Sequence, residues 1–231
     1  MLYKRKEILG EDHPDTLAGM ANLAWTYGAQ GRIKDACDLK EEVLCKRKEI
    51  PGENHPDTLA GMANLAVTYG AQRRFKDACN LEEEVLRKRK EILGEDHPDT
   101  LMSMAILAFI YKAQQQIKDV CDLEEMVLCK EKEILGEDHL STLTSMANLA
   151  LTYRVQGQIK DAYDLAEEVL GKKKEILGED HPDTLMSMAI LALTYGAQGW
   201  IKDACDLTEE VLCKRNEILG GDHPDTLTSM S

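Results

Sequence analysis

Six histidines stand at a fixed interval in this sequence: His13, His55, His97, His139, His181 and His223, each 42 residues after the last. Histidine beside acids such as Glu11 and Asp12 is raw material for a metal site. The interval argues otherwise. Equivalent points on stacked helices lie roughly 8–10 Å apart, whereas zinc ligands lie about 2 Å from their metal. The ladder is expected to pack or cap loops. Cys37, Cys79, Cys121 and Cys205 form a second ladder, with Tyr163 in the missing place, and Cys45, Cys129 and Cys213 form a third. The same stacking distance exceeds the roughly 4.4–6.8 Å Cα separation of a disulfide. Free thiols acting as soft core filler are expected. The odd total of seven cysteines, without a C-x-x-C pair, points to a reducing compartment. No nucleophile–base pairing, glycine-rich phosphate loop or metal-ligand spacing occurs. Carboxylates recur in every unit, as scaffold residues do. The expectation is no enzyme, no metal and no cofactor.

The elements that carry these ladders follow from the repeat itself. Laid over residues 52–93, residues 10–51 match at 34 of 42 positions. A fixed period of this size means one supersecondary unit stacked on copies of itself. The predicted organisation is a single array: 1–9 the end of a second helix, then repeats at 10–51, 52–93, 94–135, 136–177 and 178–219, then 220–231 the start of a further repeat. Within the first unit Leu17, Met20, Ala21, Ala24 and Tyr27 share one helix face, and Ile33, Ala36, Cys37, Val43, Leu44 and Ile50 mark a second helix. Pro14 suits a first helical turn, Asp15 complements the positive end of its dipole, and Gly31 and Gly52 fit left-handed C-terminal positions. Helix A is predicted over about 14–30 and helix B over about 32–50. The Met20, Met62, Met104, Met146, Met188 and Met230 ladder reads as core packing. Glu42–Lys46, Glu84–Lys88, Glu168–Lys172 and Glu210–Lys214 read as four-residue pairs on a solvated face.

Charge narrows the classes of partner. Lys+Arg number 28 against 42 Asp+Glu, a net charge of -14. That balance excludes a general binder of nucleic acid or anionic membrane. No run of 18 apolar residues occurs, and the opening residues lack an apolar stretch of signal-peptide type, so a cytoplasmic setting is expected.

Met20-x-x-Leu23-Ala24-x-x-Tyr27, followed by Gly31 and Ala36, resembles the tetratricopeptide repeat. Leu23, Ala24 and Tyr27 have counterparts in all five units. The 42-residue period with its Gly-Glu-Asp-His-Pro-Asp-Thr-Leu loop resembles the kinesin-light-chain type, as in nephrocystin-like proteins. The text around Asn-Leu-Ala-x-Thr-Tyr and Glu-Glu-Val-Leu is more similar still to the repeat regions of fungal NB-ARC–TPR, NOD-like proteins. This resemblance implies an all-α, right-handed superhelical solenoid of antiparallel helix pairs. It implies a protein- or peptide-binding scaffold, the ligand-sensing region of a NOD-like receptor, with a kinesin-light-chain-like cargo adaptor or a self-stacking structural array as alternatives. Two departures stand out. The large residue four after Ala36 is replaced by Lys40, Glu82, Glu124, Ala166 and Thr208. His139-Leu140-Ser141 stands where other units have His-Pro-Asp, so a softer helix start is expected there.

One stripe of helix A varies while its core positions do not. Trp25 becomes Val67, Phe109, Leu151 and Leu193, Asn22 becomes Asn64, Ile106, Asn148 and Ile190, and Gly28 becomes Lys112 and Arg154 in the third and fourth units. The resemblance places this face on the concave surface that carries ligand specificity. Large apolar residues left bare there would cost solubility. The candidate peptide-binding residues are therefore Asn22, Trp25, Asn64, Val67, Ile106, Phe109, Lys112, Asn148, Leu151, Arg154, Ile190 and Leu193. A protein or peptide in the groove and end-to-end self-association are the expected contacts.

Overall fold

The computed structural model describes residues 2–220. The residues after 220, with His223, Met230 and the start of a further repeat, lie outside them. Every regular element among the described residues is helical: α1 (Leu2–Leu9), α2 (Pro14–Ala29), α3 (Ile33–Glu49), α4 (Pro56–Ala71), α5 (Phe75–Leu93), α6 (Pro98–Ala113), α7 (Ile117–Leu135), α8 (Leu140–Gln156), α9 (Ile159–Leu177), α10 (Pro182–Gln198) and α11 (Ile201–Leu219). Consecutive helices pack against one another from α1 to α6 and from α7 to α11, the architecture of a helix-pair solenoid. The chain forms two compact units, Met1–Gln116 and Ile117–Ser231.

Each first helix of a pair starts in the same way. His13, His55, His97, His139 and His181 are N-cap residues in extended conformation. In each, Nδ1 accepts the backbone N–H two residues on, at 3.1–3.2 Å. One otherwise unpaired donor of the first turn is thereby satisfied. The histidine ladder is a capping device, and no group of three or more potential metal ligands occurs among the described residues. Pro follows the cap in four of these helices. α8 has Leu140 instead, yet keeps its cap, and Ser141 Oγ donates to Glu131 Oε1 at 2.8 Å.

The turn between paired helices needs a left-handed residue. Gly31, Gly157 and Gly199 supply it at φ 75°, 85° and 85°. Arg73 and Gln115 occupy the same place at φ 61° with a side chain, which crowds Cβ against the backbone.

In unit 1 the core gathers Leu17, Met20 and Val43 at one level, then Cys37, Leu44, Leu59, Met62, Leu65 and Val85 at the next. In unit 2 a larger cluster holds Leu143, Met146, Val169, Leu185, Met188 and Leu191. The methionines at the repeat position, Met20 to Met188, are at most 1% exposed. Met fits there because its unbranched chain fills irregular gaps between helices.

Successive pairs are also tied by polar contacts. Tyr69 donates to Glu41 and Tyr111 to Glu83 in unit 1, and Tyr153 to Glu125 in unit 2, at 2.8–2.9 Å. The loop acids are tied down as well. Lys46 Nζ meets Asp12 at 3.0 Å, Lys172 meets Asp138 at 3.0 Å and Lys214 meets Asp180 at 2.9 Å. The helix B lysines thus reach back to the preceding loop. Of the four pairs expected along helix B, Glu84–Lys88, Glu168–Lys172 and Glu210–Lys214 form, at 2.8, 3.2 and 3.9 Å.

The thiols divide. Cys37, Cys79 and Cys121 are buried, but Cys45, Cys129, Cys205 and Cys213 are exposed, and all are free. The expectation of core filler is therefore corrected for the third ladder and for Cys205 of the second. Cys45, Cys129 and Cys213 lie on an exposed side of helix B, where they approach the glutamate one turn on at 3.8–3.9 Å.

Candidate interaction surface

The variable stripe divides between surface and core. In unit 1, Trp25 is 73% exposed and Phe109 63%. Val67 is exposed less fully, and Asn22, Asn64 and Lys112 are exposed. Ile106 is half-buried against two clusters of the unit 1 core. In unit 2, Asn148 and Leu193 are exposed, whereas Leu151 and Arg154 are half-buried. Ile190 is only 7% exposed and belongs to the unit 2 core. Replacing Asn by Ile at this helix position turns a surface group into a packing group. Its larger apolar side chain gains more from burial than from water contact.

Trp25, Asn22 and Asn64 converge on a cavity of about 190 Å³ bounded by α2, α3 and α4. Lys40 and Arg47 line the same cavity, with Val43 and Gly61. Both cations come from helix B, Lys40 at the place where the family carries a large residue and Arg47 seven residues on. Lys40 Nζ donates to the Asn64 carbonyl at 3.1 Å and to Thr68 Oγ1 at 2.7 Å. Arg47 Nη1 donates to the Asp57 carbonyl at 2.8 Å. A Cβ at Gly61 would stand 3.4 Å from Arg47 Nη1, in van der Waals contact with the guanidinium. Burial holds the Lys40 ammonium below its ordinary range.

The equivalent junctions carry other charges. Between α5 and α6, Glu82 is fully buried, and neither of its oxygens has a hydrogen-bond partner. Burial pushes its carboxyl up to about 7, with Ser103 and the Arg89 charge acting the other way. The Ser103 hydroxyl is itself engaged by Arg89 Nη1 at 2.8 Å. Between α7 and α8 the two places hold Glu124 and Glu131. Between α9 and α10 they hold Ala166, 1% exposed, and the buried Lys173. The places where Lys40, Glu82, Glu124 and Ala166 replace a large apolar residue are therefore the centres of the junctions between pairs. The signal was present in the sequence as a column of mixed charge within an otherwise uniform repeat.

In unit 2 Leu193 lines a mostly apolar cleft of about 630 Å³ between α10 and α11, with Met186, Ile201 and Val211. No helix of the described residues is long and apolar enough to cross a membrane.

The sequence matches the family model described as tetratricopeptide repeat over residues 16–57, 58–99, 142–183 and 184–225, well over half of the chain. Among solved structures, the chain is similar to the nearly identical TPR-like repeats of a Podosopora anserina protein designated a kinesin light chain. Identity is 31%, with 89% of this chain and 97% of that chain covered, and a TM-score of 0.78. A single-residue variant of that protein gives the same identity and coverage and a TM-score of 0.80. BtubC (BKLC) from P. vanneervenii shares the fold at 20% identity, over 96% of this chain and 89% of that one, with a TM-score of 0.78. No curated protein sequence matches the chain significantly.

Proposed function

Since the chain belongs to the tetratricopeptide repeat family, and so is a non-catalytic scaffold for protein–protein interaction, we propose that it binds an extended peptide along the variable face of its helix A positions, in the manner of a kinesin-light-chain-like adaptor. The observation that carries this reading is the exposure of Trp25 and Phe109 at the same helix A position of two repeats, with Asn22 and Asn64 exposed on that stripe. Two large aromatic side chains left in water favour a partner that covers them. Asparagine offers a donor and an acceptor, so it holds a peptide backbone without reading its side chains. The 31% identity to kinesin-light-chain repeats supports an adaptor over the receptor-sensing role that the loop and helix text suggests. Lys112, Asn148, Leu151, Arg154 and Leu193 extend the same set of helix positions.

A peptide-display selection on the wild type, repeated with Trp25→Ala plus Phe109→Ala and with Asn64→Ala, tests the reading. Enriched peptides are expected to lose binding to the aromatic double variant and to weaken on Asn64→Ala. Peptides that bind all three proteins equally would overturn it.

A further inference from the structure

We propose that Tyr163, Tyr195 and Trp200 of unit 2 form a binding site for an arginine side chain of a partner protein, with Glu167 and Asp203 as its counter-charges. The site is independent of the groove reading above. Tyr195 and Leu193 are two residues apart, about 200° around α10, so the two surfaces use opposite sides of that helix.

The three rings pack on one another. Their centroids lie 5.8 Å apart for Tyr163 and Tyr195, and 5.6 Å apart for each tyrosine and Trp200. They come from α9, α10 and the residue that precedes α11. Both tyrosines are half-buried, while Trp200 remains 45% exposed. The turns of unit 1 hold a guanidinium in the same setting. Arg32 and Arg74 stand at the repeat place of Trp200. Their Cζ atoms lie 4.0 and 3.9 Å from the ring centroids of Tyr27 and Tyr69, the counterparts of Tyr195. Their Nε atoms meet Asp35 and Asp77 at 2.7 and 2.8 Å, and Arg74 also reaches Glu41 at 3.6 Å. Tyrosine, aspartate and glutamate together are thus a guanidinium-binding set in this chain.

Unit 2 keeps that set at Tyr195, Asp203 and Glu167 but lacks the arginine. Trp200 replaces the cation, and Tyr163 replaces the cysteine of the other repeats. Asp203 is exposed and meets no cation among the described residues. Hydrogen bonding is redirected as well. Tyr69, Tyr111 and Tyr153 each donate to the glutamate one repeat earlier. Here Tyr163 donates to Glu167 at 2.8 Å instead, and the Tyr195 hydroxyl has no hydrogen-bond partner among the described residues. Two carboxylates and a phenol oxygen therefore stand beside an aromatic surface without a cation of its own. Indole attracts a cation more strongly than any other aromatic side chain. A guanidinium stacks on it and presents a planar fork of donors to Asp203 and Tyr195. The net charge of -14 favours approach of a basic partner. The third and fourth repeats lack this surface. They carry Gln116 and Gln158 at the place of Trp200, with Cys79 and Cys121 at the place of Tyr163.

The test is a titration of the ¹⁵N-labelled full chain, followed by NMR. The three probes are the Nα-acetyl N-methylamides of arginine, lysine and citrulline, the last having the shape of arginine without its charge. The arginine probe should move the indole N–H of Trp200 and the amides of Tyr195 and Asp203, with millimolar affinity. The lysine probe should bind several-fold more weakly, and citrulline should move nothing. The exposed indole of Trp25 is the internal control for unspecific attraction of cations to an acidic chain, and should stay in place. Asp203→Asn should weaken binding roughly five-fold, the loss of one exposed ion pair. Trp200→Arg should abolish it, read at the Tyr195 and Asp203 amides, because the chain's own guanidinium then takes the place as Arg74 does. Trp200→Gln, which installs the residue of the third and fourth repeats, removes the ring without supplying a cation and should also weaken binding while the helical circular dichroism is unchanged. No shift with arginine, equal shifts with citrulline or at Trp25, lysine bound as tightly as arginine, or wild-type affinity in Trp200→Arg or Trp200→Gln would overturn the site. Loss of display peptides on Trp25→Ala plus Phe109→Ala bears on the groove alone.

Discussion

The α3–α4 junction of unit 1 and the α7–α8 junction of unit 2 are built from the same repeat with opposite charge. The first places Lys40 and Arg47 against the start and middle of the following helix, where they meet the carbonyls of Asn64 and Asp57. The second places Glu124 and Glu131 at those positions. The helix start has changed with them. Asp57 follows the cap where the junction is cationic, and Ser141 stands in its place where it is anionic, donating its hydroxyl to Glu131. An aspartate at 141 would have no hydroxyl hydrogen to give to Glu131. The departure from His-Pro-Asp at 139–141 is thus the partner of a charge reversal ten residues earlier, and the cap at His139 is retained.

That comparison is broken most severely by Ser141→Asp. Removing the one hydroxyl that donates to a carboxylate 8% exposed, and adding a negative charge nearby, should cost about 2 kcal/mol in denaturant unfolding. Adding Glu131→Arg should recover most of the loss, because it restores the Arg47–Asp57 pattern. A double-mutant cycle reads the coupling directly. Additive losses would mean that the two positions are independent.

The α5–α6 junction lies between the two extremes and sharpens the comparison through pH. The folded Glu82 carboxyl, at about 7, lies above its ordinary value of 4.5 because of burial. A raised folded value means that protonated Glu82 accompanies the folded state. Its stability contribution is whole below about pH 4.5 and is lost as pH rises through about 7. Glu82→Gln, neutral at every pH, should gain little at pH 4.5 and about 2 kcal/mol at pH 8. Denaturant curves at the two pH values check the sign.

The caps test whether charge reversal weakens a helix start. Removing the imidazole acceptor with His55→Ala or His139→Ala should cost about 1 kcal/mol each. The larger loss is expected at His139, since α8 has neither a proline nor an acid in its first turn. Hydrogen exchange at the first turns of α4 and α8 distinguishes them.

The smallest effect concerns the turns. Both left-handed residues with side chains, Arg73 and Gln115, are in unit 1, while unit 2 uses Gly157 and Gly199. Arg73→Gly and Gln115→Gly should each stabilise by about 0.5–1 kcal/mol, seen as a higher thermal midpoint.

Much of this was legible in the residues. The period of 42 pointed to stacked helix pairs, the all-α architecture that the described residues have, and helix B followed from the spacing of Ala36, Val43 and Leu44. Pro, Gly and the invariant Leu-Ala-x-x-Tyr column marked ends and faces to within a few residues. These are local signals: each depends on the backbone conformation of a residue and its near neighbours, which the residue type itself biases. The histidine ladder was readable as a cap for the same reason, since its acceptor serves an N–H two residues away.

The cavity and the junction charges belong to another level. Lys40 and Arg47 lie on a helix whose charged residues read as a solvated face, and their contacts are with residues 10 to 28 positions onward. Whether such a cation meets water, a carboxylate or a carbonyl depends on which face of the next helix packs over it. The same holds for Ile190, which the repeat register assigns to the surface and packing draws into the core. The helices, their caps and their order were readable from residue types, because they follow from local conformational preference and periodic burial. Which charges are buried together emerges in the folded packing, because desolvation is a property of the assembled neighbours and not of any residue alone.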